Sequence, residues 1–254
     1  MSNKFKTLCV SLIVSIVFGY ANIALAVNAK EIIEKSEDAM RGKSLTGNYS
    51  ITIKTKRWTR VMEVKYQENR GKHQSMLEIY APVKDAGNRF LLIKNDMWHY
   101  IQKTQNTIMI APSMMLQSWM GSDFSNDDIV KESSLIDDYN QKIIGQEVID
   151  GIKCYKLELN PKPDAPVVWG KIIYFARVSD YLLVRQEFYN EHNVMKKFLS
   201  CSNFKVMGGR TIPTLYKMEP SNDGERYTTL EIKSIKFNIP IPERIFSKQN
   251  LTRK

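Results

Sequence analysis

The chain carries three histidines, His73, His99 and His192. No spacing among them would put two imidazole nitrogens on one metal ion, and surface or satisfied sheet positions account for them better. The acidic group Asp123, Asp127 and Asp128 offers the hard oxygens that calcium takes, but it lacks the glycine and the alternating oxygens of a calcium loop, so helix capping is its expected role. A G-x-S-x-G elbow, an H-E-x-x-H helix, a Walker loop and a paired-cysteine zinc pattern are all missing. The expectation is therefore a chain that is not an enzyme and holds no metal and no cofactor. Trp98, Tyr100 and Trp119 could stack on sugar rings or bases, yet they sit among aliphatic neighbours and better suit a core or a lipid pocket.

The residues that could do binding chemistry crowd into the stretch 111–130, A-P-S-M-M-L-Q-S-W-M-G-S-D-F-S-N-D-D-I-V. Ser113 can cap a short helix that sets Met115 against Trp119 and Leu116 against Met120, each pair four residues apart, and Gly121 can stop it. Thioether and indole groups fill irregular space without fixed partners, so Met114, Met115, Leu116, Trp119 and Met120 suit a movable plug over an apolar pocket. An ordinary core helix is the alternative. Sheet-side candidates for the same pocket are Leu91, Ile93, Trp98 and Ile108.

The surrounding elements have to position that stretch. Asn28 can cap an opening helix with Glu31 three residues on; Ile32, Ile33, Ser36, Ala39 and Met40 recur at helical spacing, and Gly42 supplies the stop. Period-two segments follow at 48–55, 60–66, 72–80, 89–94, 97–101 and 107–110, with a tight turn at Asn95-Asp96. Past the plug, Asn126, Asp127 and Asp128 favour a second short helix over 125–132. Further strand segments are expected at 142–149, 153–160, 170–176, 181–189, 194–203, 211–219 and 227–237. In the last, the apolar face shifts from Leu230 and Ile232 to Ile235 and Phe237, as a bulge would cause. Pro161, Pro163 and Pro166 stiffen one loop, and Pro240 and Pro242 end the sheet. With strand segments in close succession and helices only at the start and middle, the pattern predicts a mainly β chain: a strongly curved antiparallel sheet or incomplete barrel whose helices fill the concave face.

The first 26 residues read as a secretory signal: Lys4 and Lys6, an apolar run over 8–18, and a small-residue cleavage site at Ala24-Leu25-Ala26. Cys9 falls inside it without the small residues that precede a lipidated cysteine. The expected mature chain is a single domain over 27–254. The formal charge of +10 drops to +8 when Lys4 and Lys6 leave. Such a surface can meet anionic headgroups or an acidic partner; export argues against nucleic acid, and the basic residues mostly alternate along strands rather than forming a block. Cys154 and Cys201 remain in an oxidising compartment, but a meandering sheet does not make them neighbours, and they are expected unpaired.

The export signal, the amphipathic opening helix, the long meander, M-M-L-Q-S-W-M-G-S-D-F-S-N-D-D at 114–128, G-G-R-T-I-P-T at 208–214 and I-P-E-R-I-F-S at 241–247 resemble exported outer membrane lipoprotein-sorting proteins, relatives of the LolA and LolB carriers. The resemblance implies a half-open antiparallel β-barrel with a few helices over its concave face and a cavity for acyl chains. It also implies a periplasmic carrier that moves lipoproteins or free lipid towards the outer membrane. An inner-membrane transporter of the resistance-nodulation-division (RND) class and an outer-membrane acceptor are the partners it suggests. The alternative is an accessory protein-interaction subunit of such a transporter.

Overall fold

The computed structural model describes residues 27–94, 96–130, 134–165 and 167–253. The predicted export segment 1–26, Asn95 of the predicted turn, Lys131 and Glu132 of the predicted second helix, and Pro166 lie outside the described residues.

Helix α1, Ala29–Arg41, forms as its sequence directs. The Asn28 side chain accepts a hydrogen bond from the Glu31 amide at 2.9 Å, and Gly42 ends the helix at φ 64°, its amide donating to the Asp38 carbonyl. That positive φ suits a residue without a Cβ.

Thirteen strands follow among the described residues, one for each strand segment named from the sequence, all in one sheet. The first six are β1 (Ser44–Lys54), β2 (Thr59–Asn69), β3 (Gln74–Ala81), β4 (Arg89–Ile93), β5 (Asp96–Ile101) and β6 (Asn106–Ile110). Past the crossing segment come β7 (Tyr139–Ile149), β8 (Ile152–Pro161), β9 (Lys171–Arg177), β10 (Leu183–Tyr189), β11 (Met195–Met207), β12 (Arg210–Pro220) and β13 (Tyr227–Phe237). The order is β6-β5-β4-β3-β2-β1-β13-β12-β11-β10-β9-β8-β7, every pair antiparallel.

Two meanders thus join along β1 and β13, and β6 and β7 are left as outer edges. The predicted bulge sits at this seam: Asn48 faces Ser234 whereas Tyr49 faces Ile232, so Lys233 is the extra residue. Gly47 lies beside it because a Cβ there would come within 2.8 Å of the Tyr49 ring and 2.9 Å of the Ser234 carbonyl oxygen.

Alternation sends one set of side chains to each face. The inner, concave face carries two apolar clusters. Tyr49, Ile51, Met62, Val64, Phe90 and Ile232 belong to one; Leu157, Ile172, Tyr174, Leu183, Phe188 and Met218 belong to the other. Helix α1 packs Ile32 and Ile33 into the second cluster and lies against β7, β9 and β12, and Ser36 Oγ bonds the Tyr174 hydroxyl at 2.7 Å. The half-open antiparallel barrel with helices on its concave side is therefore the observed fold.

The outer face has smaller clusters. One is covered by a C-terminal element that the sequence reading stopped short of: a 3₁₀ turn, Glu243–Phe246, and a short helix, α4, Lys248–Leu251. Ser247 caps it by accepting from the Asn250 amide at 3.1 Å, and Phe246 and Leu251 bury against Met76, Leu91 and Tyr100. Arg89 ties it down, donating to the carbonyl oxygens of Leu251 and Arg253 at 3.1 and 2.8 Å.

Cys154 and Cys201 are free and buried on opposite faces. Burial pushes the Cys154 thiol up to about 11 and raises Cys201 further. Both should be silent to a thiol reagent at pH 8 in the folded protein and react in 6 M guanidinium; rapid labelling of the native protein would contradict this packing.

Candidate functional site

The connection from β6 to β7 has to travel between the two edges of the sheet, and it does so over the concave face. It does not form the continuous helix expected from Ser113. The chain makes a 3₁₀ turn at Pro112–Met114 and another at Trp119–Gly121, where Met120 takes φ 52° and the backbone reverses. Side-chain and backbone bonds within the segment replace helical ones. The Trp119 amide donates to the Phe124 carbonyl at 2.8 Å, the Asp127 amide to Met115 at 2.9 Å, and the Asn126 side chain to Met114 at 2.9 Å. Short helices α2, Asn126–Val130, and α3, Ser134–Asp137, complete the crossing.

Three cations on the sheet side fasten this cover. Arg60 of β2 donates to the Met120 carbonyl. Arg226, beside β13, donates to Asp123, whose other carboxylate oxygen accepts from Thr228 at 2.7 Å. Lys197 of β11 pairs with Asp128, with both side chains about nine-tenths buried. Asp128 also caps α2: its carboxylate accepts from the Ser125 amide at 2.6 Å and hydroxyl at 2.8 Å, while Ser125 Oγ accepts from the Asp128 amide at 3.2 Å. This reciprocal arrangement is a capping box, so of the acidic group Asp128 takes the expected capping role, while Asp123 is held by Arg226 and Thr228 instead.

Beneath the cover, between the two inner clusters, lies an apolar cavity of about 290 Å³. Tyr49, Val64 and Ile232 form one wall, Ile172, Leu183 and Phe188 the facing one. Phe124, Ile129 and Leu135 close it from the crossing segment, and Met40 does so from α1. Charge collects at its margins: Arg41 pairs with the buried Glu68, and Arg70 reaches Glu37 at 3.0 Å.

The nine residues proposed from sequence do not line this cavity. Met115 and Trp119 are buried in the adjoining inner cluster, with Met114 and Met120 packed against it, and the Trp119 ring centroid lies 5.4 Å from that of Phe90. They therefore belong to the packed half of the cover. Leu116 points outward and is 58% exposed. Leu91, Ile93 and Trp98 pack on the outer face under the C-terminal element, and Ile108, on edge strand β6, is 40% exposed. Parity grouped Leu91 with Ile93 but could not say which side of the strand faces inward. Phe90 is the inward residue of that pair of faces. Of the cavity-lining residues of the crossing, Phe124 stands as an isolated apolar residue in a polar run, whereas Ile129 and Leu135 each open an apolar pair, Ile129-Val130 and Leu135-Ile136.

His99 lies under the cover. It stacks on Phe90 with 4.1 Å between centroids, and Nε2 lies 3.1 Å from Asn88 Oδ1. Burial holds its pKa well below 6.5, at about 4. Among the described residues no group of three or more metal-ligating side chains occurs, and no helix is long and apolar enough to cross a membrane.

Two outcomes follow. Lys197→Met should lower stability by about 3 kcal/mol by stranding the Asp128 carboxylate, and adding Asp128→Asn, which removes the charge but keeps an oxygen for the Ser125 amide, should restore part of it; a denaturant double-mutant cycle measures both. Acidification from pH 6.5 towards 4 should destabilise the protein, because the unfolded His99 binds a proton that the folded one refuses. After discounting for partial exposure the loss is on the order of 2 kcal/mol, and His99→Phe should flatten the slope.

A family model described as "Uncharacterized protein" matches residues 71–253, well over half of the chain. No curated protein matches significantly. Among solved structures, a DUF1329 family protein from Desulfovibrio piger superposes with a TM-score of 0.81 at 20% identity, over 88% of this chain and 97% of its own. A domain named for outer membrane lipoprotein sorting, from Vibrio parahaemolyticus, gives 0.76 at 20% identity, over 89% and 98%. A LolA superfamily protein from Nitrosomonas europaea gives 0.75 at 22% identity, over 89% and 100%. The chain belongs to the family whose model spans 71–253, and its fold is the open barrel of the LolA-like, lipoprotein-sorting proteins.

Proposed function

We propose that the chain is an exported, non-enzymatic carrier that shelters hydrocarbon from lipoproteins or free lipid in its concave cavity. In this reading residues 1–26 are removed after Ala26, and the domain over 27–254 works in the periplasm. The observation that carries it is an apolar cavity of about 290 Å³ between two otherwise packed clusters. An engineered apolar cavity of about 150 Å³ stays dry and takes up benzene, so an empty apolar space of this larger size favours an apolar guest over water. Each methylene moved from water into it contributes about 0.8 kcal/mol. On the order of ten methylenes gives roughly 8 kcal/mol, which before ordering costs corresponds to micromolar affinity, tight enough to hold cargo and weak enough to release it.

The architecture shared with a lipoprotein-sorting domain supports the same reading. Met114, Met115, Trp119 and Met120 serve in it as the packed half of the cover, whose contacts must rearrange when cargo enters. An RND-type inner-membrane transporter as donor and an outer-membrane acceptor complete the route.

The test is chemical. Organic extraction of the protein purified from the periplasm, followed by mass spectrometry, should release lipid in near-stoichiometric amount; a lipid-free protein would favour an interaction subunit instead. Leu230→Asp places a carboxylate on the half-buried cavity wall. It should cut uptake of a fluorescent fatty acyl probe at least tenfold with an unchanged circular dichroism spectrum.

A further inference from the structure

We infer that one end of the first meander is a membrane-docking lip, which seats on the anionic surface of a lipid bilayer. None of its residues lines the cavity, so the surface goes beyond the carrier reading and stands or falls apart from it.

Three turns lie side by side at that end. The β1–β2 turn, 55–58, is closed by the Thr55 amide, which donates to the Trp58 carbonyl at 2.9 Å. In the β3–β4 connection the amides of Asp85 and Ala86 both donate to the Pro82 carbonyl at 2.9 Å, and Arg60 at the start of β2 lies 3.9 Å from Asp85. The β5–β6 turn, 102–105, packs so closely on this connection that a Cβ at Gly87 would come within 2.8 Å of the Gln102 side chain.

Charge is the first observation. The turns and the strand end beside them expose Lys54, Lys56, Arg57, Lys84 and Lys103. Asp85 is the one acidic residue in the three turns, and it is buried facing Arg60. Lys56 also lies 3.9 Å from Asp223 and 3.7 Å from Glu225 on the neighbouring β12–β13 turn. On the outer face of the second meander and the seam the signs balance: Arg185 pairs with Glu187 at 2.9 Å, Lys217 with Glu219 at 2.7 Å and Lys233 with Glu231 at 2.7 Å. The lip keeps a positive surplus that those strands do not.

The second observation is that large apolar side chains stand in water at the same place. Trp58, Val61 and Tyr80 are 45, 47 and 49% exposed, and Val83 is 94% exposed. A bulge turns Tyr80 out: Glu63 faces Ala81 and Val64 faces Ile79, which leaves Tyr80 as the extra residue. Trp58 sits on the side of the cover, with its ring centroid 5.6 Å from the guanidinium carbon of Arg60, which itself donates to the Met120 carbonyl. Val61 and Tyr80 alternate with the buried inner residues Met62 and Ile79 and so belong to the outer side. The apolar groups therefore straddle the lip instead of forming one flat patch, which suits a fluid surface better than a preformed protein face.

Such a mixture matches a bilayer interface. Indole and phenol rings rest at head-group level, and lysine and arginine reach phosphate along their own alkyl stems. Each cation near an anionic surface adds attraction that fades within a Debye length.

The test uses protein purified from the periplasm, sedimented with vesicles of phosphatidylcholine alone or of phosphatidylcholine and phosphatidylglycerol in equal parts. It should bind the anionic vesicles at least tenfold more tightly and lose that preference in about 1 M salt, where the Debye length is about 3 Å. Indole emission should shift to the blue on binding, and Trp58→Phe should remove the shift. Arg57→Glu with Lys84→Glu should weaken binding at least tenfold; Lys217→Glu with Lys233→Glu, the same change of charge on the outer sheet face, should cost far less, with circular dichroism unchanged in both. Equal binding to neutral vesicles, equal effects of the two charge reversals, a blue shift that survives Trp58→Phe, or no binding at all would overturn the inference. None of these outcomes decides whether the cavity holds lipid, which organic extraction reads separately.

Discussion

A sheet with two unpaired edges and one apolar concave face has to be covered, and most of this molecule answers that constraint. The two meanders meet along β1 and β13, so the strands farthest from the seam, β6 and β7, are also the ones the chain must connect. A connection between opposite edges has to pass over one face. It passes over the apolar one, because only there can Met115, Trp119, Phe124 and Ile129 leave water. The segment is thus both the link between the meanders and half of the core.

The other half of the cover is α1, which buries Ile32 and Ile33 against the second inner cluster. The helix and the crossing segment lie over different parts of the sheet, and the cavity is the space neither fills. Its walls consist of side chains at home in a core, including Val64, Leu183 and Phe188. What distinguishes it from core is that Phe124, Ile129, Leu135 and Met40 close over the space without filling it. The polar groups lie at its margins, paired as Arg41 with Glu68 and Lys197 with Asp128, which leaves the centre to apolar contact. The thiols of Cys154 and Cys201 are buried with raised pKa values.

Much of the fold could be read from the chain alone, for local reasons. The Asn28 cap, the Gly42 stop, the alternation of Tyr49, Ile51 and Ile53, and the face shift in β13 are all set within a few residues of one another. Capping by Asp128 is local too. The site was less legible. Met115 and Trp119 sit four residues apart, which suggested a helix, but the reversal at Met120 and the bonds from Trp119, Asn126 and Asp127 back into the segment favour two tight turns. Leu91, Ile93 and Trp98 were assigned to the pocket by apolar character, and their actual partners, Phe246 and Leu251, are far away in sequence.

The sequence by itself determined which segments are strands, where the opening helix starts and stops, where the last strand bulges, and that the chain advertises no catalytic motif, because each of these depends on spacing over a few residues. Only the tertiary structure decided which face of each strand is concave, that Arg60, Arg226 and Lys197 converge on the crossing segment, and where the cavity lies. Period-two alternation is symmetric between the two sides of a sheet, and a void is defined by what distant segments leave unfilled, so neither can be written in local pattern.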